Sequence, residues 1–513
     1  VGGLNTVAAG IALPPGDCVQ AFNIVAAENG LRVRYGEHEH VTGLTGATDN
    51  VVRVVMQFTG ATTTRLFATT SSGIWDVTNS TAAPTLTVAF PSTASNAGYG
   101  VACVVVTTAG HFLMYADEEN GLYRYAESGA TWTKVTMGAG VGQISNVDPK
   151  NLVSVVAFKG RVWLVERDSD SAWYLPTDSV AGAATEFPMG MKFARGGTLV
   201  GLWSWTYDGG AGVDDRLVAW ASGGDVLVYE GTDPSVSTSF GLSGVWYAGP
   251  PPAGRKVATD LGGELLLITR QGLLPLSRLV VRVVDVQTES TTVKVANLIN
   301  TLMSIRGDTR GWAIIQHPED ATLLLVVPKG SGDYYLQLAQ SAASKGWFIH
   351  RGLNMTSADI WQRRLYYGTD NGRVCINTGY LDGVTISNPN AYAPIDWSLL
   401  TAASDLGSPV QKQVGTIRPL ILSDGVAPSF AVAARYGYSQ EELGLVSLVT
   451  GGDNTWDVAL WDTATWSGDI APSQAVRGST GMGTAVAIAI RGVSVSRTVL
   501  VALDVTFTSG GFL

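Results

Sequence analysis

Trp347-Phe-Ile-His-Arg-Gly-Leu-Asn-Met-Thr-Ser-Ala-Asp-Ile-Trp-Gln-Arg-Arg-Leu-Tyr-Tyr-Gly-Thr-Asp-Asn-Gly-Arg-Val-Cys-Ile-Asn-Thr-Gly379 decides the fold. Trp347, Phe348 and Ile349 are aromatic or β-branched, and Gly352 breaks the run. Arg364 to Tyr367 reads as a second strand and Arg373 to Asn377 as a third. Between them, Thr369-Asp370-Asn371-Gly372 reads as a tight turn, because Asn-Gly tolerates the positive φ that two-residue hairpins need. The stretch is therefore expected to be a small antiparallel meander with a polar tip.

The same half-unit recurs along the chain. Arg65-Leu-Phe-Ala68 is followed by Ser71-Ser-Gly73 and Ile74-Trp-Asp-Val77. His111 to Tyr115 and Leu122 to Tyr125 flank Glu118-Glu-Asn-Gly121. Arg161 to Val165 matches Ala172 to Leu175, and Arg216 to Trp220 matches Asp225 to Tyr229. Glu264 to Ile268 and Thr322 to Val327 open two more hairpins. These copies start roughly 42 to 58 residues apart, against about 40–50 for propeller blades. A sheet with two apolar faces cannot bury both alone, so such units stack around an axis. The expected fold is all-β: a β-propeller of six to eight blades with additional β-sandwich-like domains. The alternative is a set of unrelated hairpins in one sandwich.

Composition agrees with many short strands and turns. The 513 residues include 61 glycines, 15 tryptophans and 17 tyrosines. Only 15% are charged, against about 25% in ordinary domains. With a mean hydropathy of +0.18, this suggests surface buried between subunits. The net charge is −10, which argues against a phosphate-gripping nucleic-acid binder. Cys18, Cys103 and Cys375 are odd in number and far apart, so they read as reduced, buried thiols. The N-terminus carries no signal-peptide pattern, and no stretch has the length of a membrane span.

Three regions follow. Residues 1–45 read as an N-terminal arm with strands packing on the C-terminal domain. Residues 46–378 carry the blades, with Gly249-Pro-Pro-Pro-Ala-Gly254 the stiffest linker, read as a crossover or an interaction loop. Residues 379–513 read as a sandwich-like β-domain, with a turn at Ser423-Asp-Gly425 and with Trp456, Trp461 and Trp466 at five-residue intervals.

Gly2-Gly-Leu-Asn-Thr6, Leu13-Pro-Pro-Gly16, an Asn23-centred strand, Asn29-Gly30 and Arg32-Val-Arg-Tyr-Gly36 stand in that order. Leu365-Tyr-Tyr-Gly-Thr-Asp-Asn-Gly-Arg-Val374, Ile417-Arg-Pro-Leu420 and Gly510-Gly-Phe-Leu513 follow. Together they resemble the tail nozzle or tail-hub (tail tubular, DNA-stabilisation-type) proteins of short-tailed and related bacteriophages. The resemblance implies a structural virion protein, a homo-hexameric ring below the adaptor or head–tail connector ring. It implies assembly in the host bacterial cytoplasm, docking of tail fibres, retention of the genome, and passage of double-stranded DNA without tight binding. An acidic or neutral channel lining is then expected, with Glu118-Glu119 and Asp214-Asp215 as candidate lining acids.

The residues also offer other chemistries. Glu37-His38-Glu39-His40 places two histidines on one strand face, but no third metal ligand is evident and a solvated edge is the plainer reading. Glu118/Glu119, Asp214/Asp215 and Asp168/Asp170 are the paired carboxylates available to a glycan hydrolase or depolymerase. All lie in turn-like stretches. Trp361, Tyr366 and Tyr367 offer either a sugar-stacking surface, as in a carbohydrate-binding module, or blade core. Tyr125-Ala-Glu-Ser-Gly-Ala-Thr-Trp132 resembles a degraded Asp-box, a structural turn of sialidase-type propellers. Gly478-Ser-Thr-Gly-Met-Gly483 lacks the strand–helix context of a phosphate loop. The reading is a non-enzymatic protein with no catalytic, cofactor or metal residues.

Overall fold

The computed structural model describes residues 2–208, 213–281, 290–330, 333–424, 426–447, 470–473 and 475–510. The Gly425 turn residue, the three tryptophans 456, 461 and 466, and residues 511–513 lie outside the described residues. The chain is nearly all β.

Seven small antiparallel sheets follow one another. The first is Val54–Thr59, Thr64–Thr70, Gly73–Asp76 and Thr85–Ala89. The second is Gly100–Thr107, Gly110–Asp117, Gly121–Ala126 and Thr131–Lys134. The third is Leu152–Phe158, Arg161–Glu166, Ser171–Tyr174 and Thr185–Pro188. The fourth is Leu199–Asp208, Val213–Ala221, Asp225–Gly231 and Phe240–Tyr247. The fifth has three strands, Ala258–Leu261, Glu264–Thr269 and Gly272–Pro275. The sixth is Ala313–His317, Thr322–Val327, Leu336–Ser341 and Trp347–Arg351. The seventh is Ser357–Trp361, Arg364–Gly368, Val374–Asn377 and, from the N-terminal region, Glu37–Val41.

The first strand of each sheet touches the first strand of the next, and Ser357–Trp361 returns to Val54–Thr59. The ring is closed, and the protein is a seven-bladed propeller. Period-two alternation builds it. In Gly110–Asp117, Leu113 and Tyr115 pack toward blade one with Phe58 and Phe67. Their neighbours Met114 and Ala116 pack toward blade three with Leu152 and Leu164.

Three readings are corrected here. Trp347–Arg351 is the outer strand of blade six and pairs with Leu336–Ser341, so the opening stretch spans two blades. The partner of Arg364–Gly368 is Ser357–Trp361, whose polar start hides it because Asp359 is a half-buried residue that accepts from the Gln57 amide of blade one. Glu37–Val41 belongs to the last blade, not to the C-terminal unit. An unpaired outer edge on Val374–Asn377 would expose a row of amides and carbonyls, and this strand covers it.

A helix, Ala296–Arg306, follows blade five. Ile299, Leu302 and Met303 face the core beside Leu273 and Trp312. The remaining strands form two layers. Asp17–Phe22, Ala393–Thr401, Val486–Ser494 and Ser429–Tyr436 make one sheet, which joins blade six where Phe22 pairs with Ile349. Ile24–Ala27, Gly30–Val33, Thr498–Ser509, Lys412–Asp424 and Ile470–Ser473 make the other. Ile24, Leu31, Trp397, Ile421, Ile490 and Leu500 are buried between them. The arm thus contributes strands to both layers.

Candidate functional site

The motifs of residues 23–36 and 365–382 converge where propeller and sandwich meet. Asn23 adopts a positive φ of 57°. Its amide group donates to the Asp396 carbonyl at 2.7 Å, and its side-chain oxygen accepts from Arg34 Nε at 3.0 Å and from the Arg351 amide at 2.7 Å. Arg34 is 1% exposed. Its guanidinium also donates to the Tyr35 and Arg351 carbonyls at 2.8 and 3.0 Å, and to both carboxylate oxygens of Asp382 at 2.9 and 2.7 Å. Arg32 pairs with Asp320 of blade six and stacks over Tyr35. Arg32 and Arg34 are thus both consumed in ion pairs at the junction.

Beside this latch, His317 is fully buried, with Nε2 3.0 Å from Asn377 Oδ1. Burial, opposed by the Asn377 bond and reinforced by Arg32, brings its pKa down to about 4. Buried His350 is displaced downward too, by burial and then by Arg34 and Arg32. An unfolded histidine titrates near 6.5, so from pH 6.5 down to about 4 the unfolded chain binds the proton and the native state does not. Stability therefore falls as pH drops through that window, by about 3 kcal/mol for His317 alone. Denaturation midpoints measured from pH 7 to pH 4 check this, and His317→Gln flattens the dependence.

The candidate metal strand is half-buried, with Glu37 and Val41 buried and His38, Glu39 and His40 partly covered. Glu37 accepts from Tyr367 Oη at 2.7 Å and lies 3.4 Å from Arg373, while Glu39 lies 3.6 Å from the same guanidinium. His40 Nε2 lies 3.0 Å from the Val77 carbonyl. The expected solvated edge is thus a paired, charge-satisfied strand. Among the described residues, no three His, Cys, Asp or Glu side chains are placed to share a metal. Trp361, Tyr366 and Tyr367 are buried at 7%, 6% and 0% exposure. They are blade core, unavailable for stacking on a sugar.

The acids disperse. Glu118 is buried and accepts from Arg310 Nε at 2.8 Å, so it is no free lining acid. Glu119 accepts from Ser92 at 3.2 Å. Asp215 accepts from Thr206 at 2.8 Å and lies 3.7 Å from Lys159, while the side chain of Asp214 lies outside the described residues. Asp168 and Asp170 are exposed turn residues of blade three. In the degraded Asp-box, Glu127 crosses to blade one and accepts from the amides of Ala61, Thr62 and Thr63 at 3.0, 2.9 and 3.0 Å. The Thr62 and Ala61 amides hold its pKa down at about 2. Gly481 and Gly483 pack beneath the Tyr436 ring. The Cys18 thiol is pushed up to about 12 by burial and by Asp17, which leaves it unreactive.

A site that sequence reasoning missed opens at one end of the propeller axis. Arg53, Tyr99, Lys256, Arg310 and Thr356 stand just before the first strands of their blades and line a narrow axial cavity with Glu118 and Arg255. An adjoining recess of about 240 Å³ shares Glu118, Gly254, Arg255 and Arg310, and adds Pro251, Pro252 and Arg270. Basic residues recurring within three positions of the first strands are the available signal. It becomes legible only once those strands are assigned to the axis.

No family model and no curated protein matches the chain. Among solved structures, it is similar to the extracellular domain of a hybrid two-component system from B. thetaiotaomicron, at 14% identity and a TM-score of 0.39. That match covers 69% of this chain and spans 45% of the other. It is also similar to BamB from Moraxella catarrhalis, at 12% identity and a TM-score of 0.36, covering 70% of this chain and 96% of that one. Likenesses at this level carry no functional inference.

Proposed function

We propose that the chain is a structural subunit of a bacteriophage tail, a nozzle or hub. In this reading six copies form a ring below the adaptor ring, continue the DNA channel, retain the genome until ejection and dock fibres. The supporting observation is the convergence of the resembling motifs. Asn23 and Arg34 tie propeller to sandwich through Arg351, Asp382 and Asp396, while Tyr367 and Arg373 hold Glu37 in blade seven. In this reading the resembling motifs hold the junction and the blade that closes the ring. A ring under internal pressure needs rigidity there, and closed heterologous interfaces supply the symmetry.

The test is mass in solution with negative-stain microscopy and virion proteomics. The expected result is a sixfold multiple of the 53.9 kDa chain and ring-shaped particles. A monomer at every concentration, absent from purified virions, rejects the proposal. Release of reducing ends from host surface polysaccharide favours the glycan-hydrolase alternative instead. A net charge of −10 per chain also predicts no measurable duplex-DNA affinity at physiological salt. Sub-micromolar binding that weakens steeply with salt opposes a channel through which DNA slides.

A further inference from the structure

We propose that residues 34–41 form an acid-released strap, lifted from blades six and seven by protonation of the histidines that it carries and covers while the rest of the ring stays folded. The inference does not depend on a phage role. The chain has five histidines, and four of them meet at this segment. His38 and His40 lie on its strand, Glu37–Val41. His317 and His350 lie beside it in blade six, at 0% and 3% exposure. That strand is the outermost of blade seven, laddered to Val374–Asn377, and an edge strand opens at lower free energy than a closed ring unfolds.

The strap meets the buried pair directly. Asn377 of blade seven donates to the Tyr35 and Gly36 carbonyls at 3.2 and 2.8 Å. Its amide hydrogens are thus taken, and its oxygen, 3.0 Å from His317 Nε2, accepts from that ring. The Tyr35 ring lies 5.8 Å from the His317 ring. Arg34 donates to the Arg351 carbonyl, beside His350, at 3.0 Å. Nδ1 of His317 and Nε2 of His38 and of His350 are buried with no hydrogen-bond partner. Each of these rings, on gaining a proton, would bury an N–H without an acceptor.

The surrounding charges disfavour protonation further. Arg34, Arg32 and His317 act on His350, and Arg32 acts on His317. The carboxylates at hand are already engaged, Asp320 with Arg32 and Asp382 with Arg34. Burial lowers the pKa of all four rings, opposed at His38 by Asp382, at His40 by backbone bonds to Val77 and Thr78, and at His317 by Asn377. Tyr366 packs edge-on against His40 at 5.0 Å. Glu37 acts in the opposite sense. Burial raises its pKa, against Tyr367 and Arg373, so the closed strap holds a proton there more readily than the open one. A released histidine titrates near 6.5. Below that pH the open strap binds protons that the closed strap excludes. Acid therefore favours opening, by on the order of tenfold per histidine between pH 6 and pH 5, with Glu37 offsetting at most one of the four.

Hydrogen exchange of the full chain from pH 7 to pH 5, corrected for the intrinsic pH dependence of exchange, tests the strap. The amides of Glu37–Val41 are expected to open at least about tenfold more often at pH 5 than at pH 6, while those of Arg161–Glu166 in blade three stay protected. His317→Gln and His38→Gln should each reduce that rise about tenfold. His38 Nε2 has no partner to lose, so His38→Gln stays readable should His317→Gln misfold. His111→Gln alters the fifth histidine, in the second strand of blade two, and leaves the rise unchanged. A rise below about twofold in the parent, the same rise in both strap variants, or simultaneous loss of protection in blade three each overturns the proposal.

Discussion

Replacing Asp382 by alanine is expected to destabilise the protein by about 3–5 kcal/mol, the range for orphaning one partner of a buried ion pair. The Arg34 side chain is 2% exposed and that of Asp382 20%. Removing the carboxylate leaves a guanidinium inside the junction with no carboxylate in contact, Glu37 acting on it only at longer range. Its bonds to Asn23, Tyr35 and Arg351 survive, so part of its donor capacity stays satisfied. None of them supplies a negative charge. Asp382→Asn keeps the shape and one acceptor, and should cost less than the alanine change. Because propeller and sandwich can unfold separately, the measurement is denaturant unfolding followed by two probes, with both transitions reported. The sandwich transition should move most, since the Asn23–Arg34–Asp382 latch carries its arm strands. A loss below about 1 kcal/mol would mean that water, not Asp382, solvates Arg34.

Gly372→Val is expected to cost about 4 kcal/mol. Gly372 sits at φ 74° in a loop closed by the Thr369 amide donating to the Arg373 carbonyl at 3.0 Å. An L-residue there costs about 1–2 kcal/mol from its own backbone. The remainder comes from overlap, since a Cβ at this position would lie 2.1 Å from the Leu44 carbonyl oxygen. The Leu44 amide also donates to the Gly372 carbonyl at 3.0 Å, so relieving the overlap separates two segments that close the ring. Thermal unfolding of the variant is the check, and a midpoint equal to the parent's would refute the packing described for this loop.

The two substitutions sit at different depths of legibility. The glycine was readable locally, because Asn-Gly between two apolar runs specifies a turn whatever surrounds it. The turn type was not. Asp370, Asn371 and Gly372 form a three-residue loop between Thr369 and Arg373, not a two-residue hairpin, because only glycine takes the left-handed conformation. The helix Ala296–Arg306 falls inside the stretch that reads as blades. Its buried positions, Ala296, Ile299, Leu302, Met303 and Arg306, carry the three-to-four spacing that marks a helix face. Asp382 could not be paired with Arg34 from sequence, since nothing local distinguishes it from any other loop acid.

The sequence by itself determined the repeating hairpins, and hence an all-β propeller. Arg161 to Val165 does pair with Ala172 to Leu175, and Arg216 to Trp220 with Asp225 to Tyr229. The information lies in side chains alternating between two faces over a few residues, and it survives without knowledge of neighbours. Only the tertiary structure decided that Glu37–Val41 closes blade seven, that Phe22 links blade six to the sandwich, and that Arg53, Arg255, Lys256 and Arg310 meet on one axis. Edge-to-edge pairing is made by backbone amides and carbonyls that every residue carries. A strand more than 300 residues from its partner therefore carries no local mark of it. The choice is made by which edges the closed ring leaves unpaired.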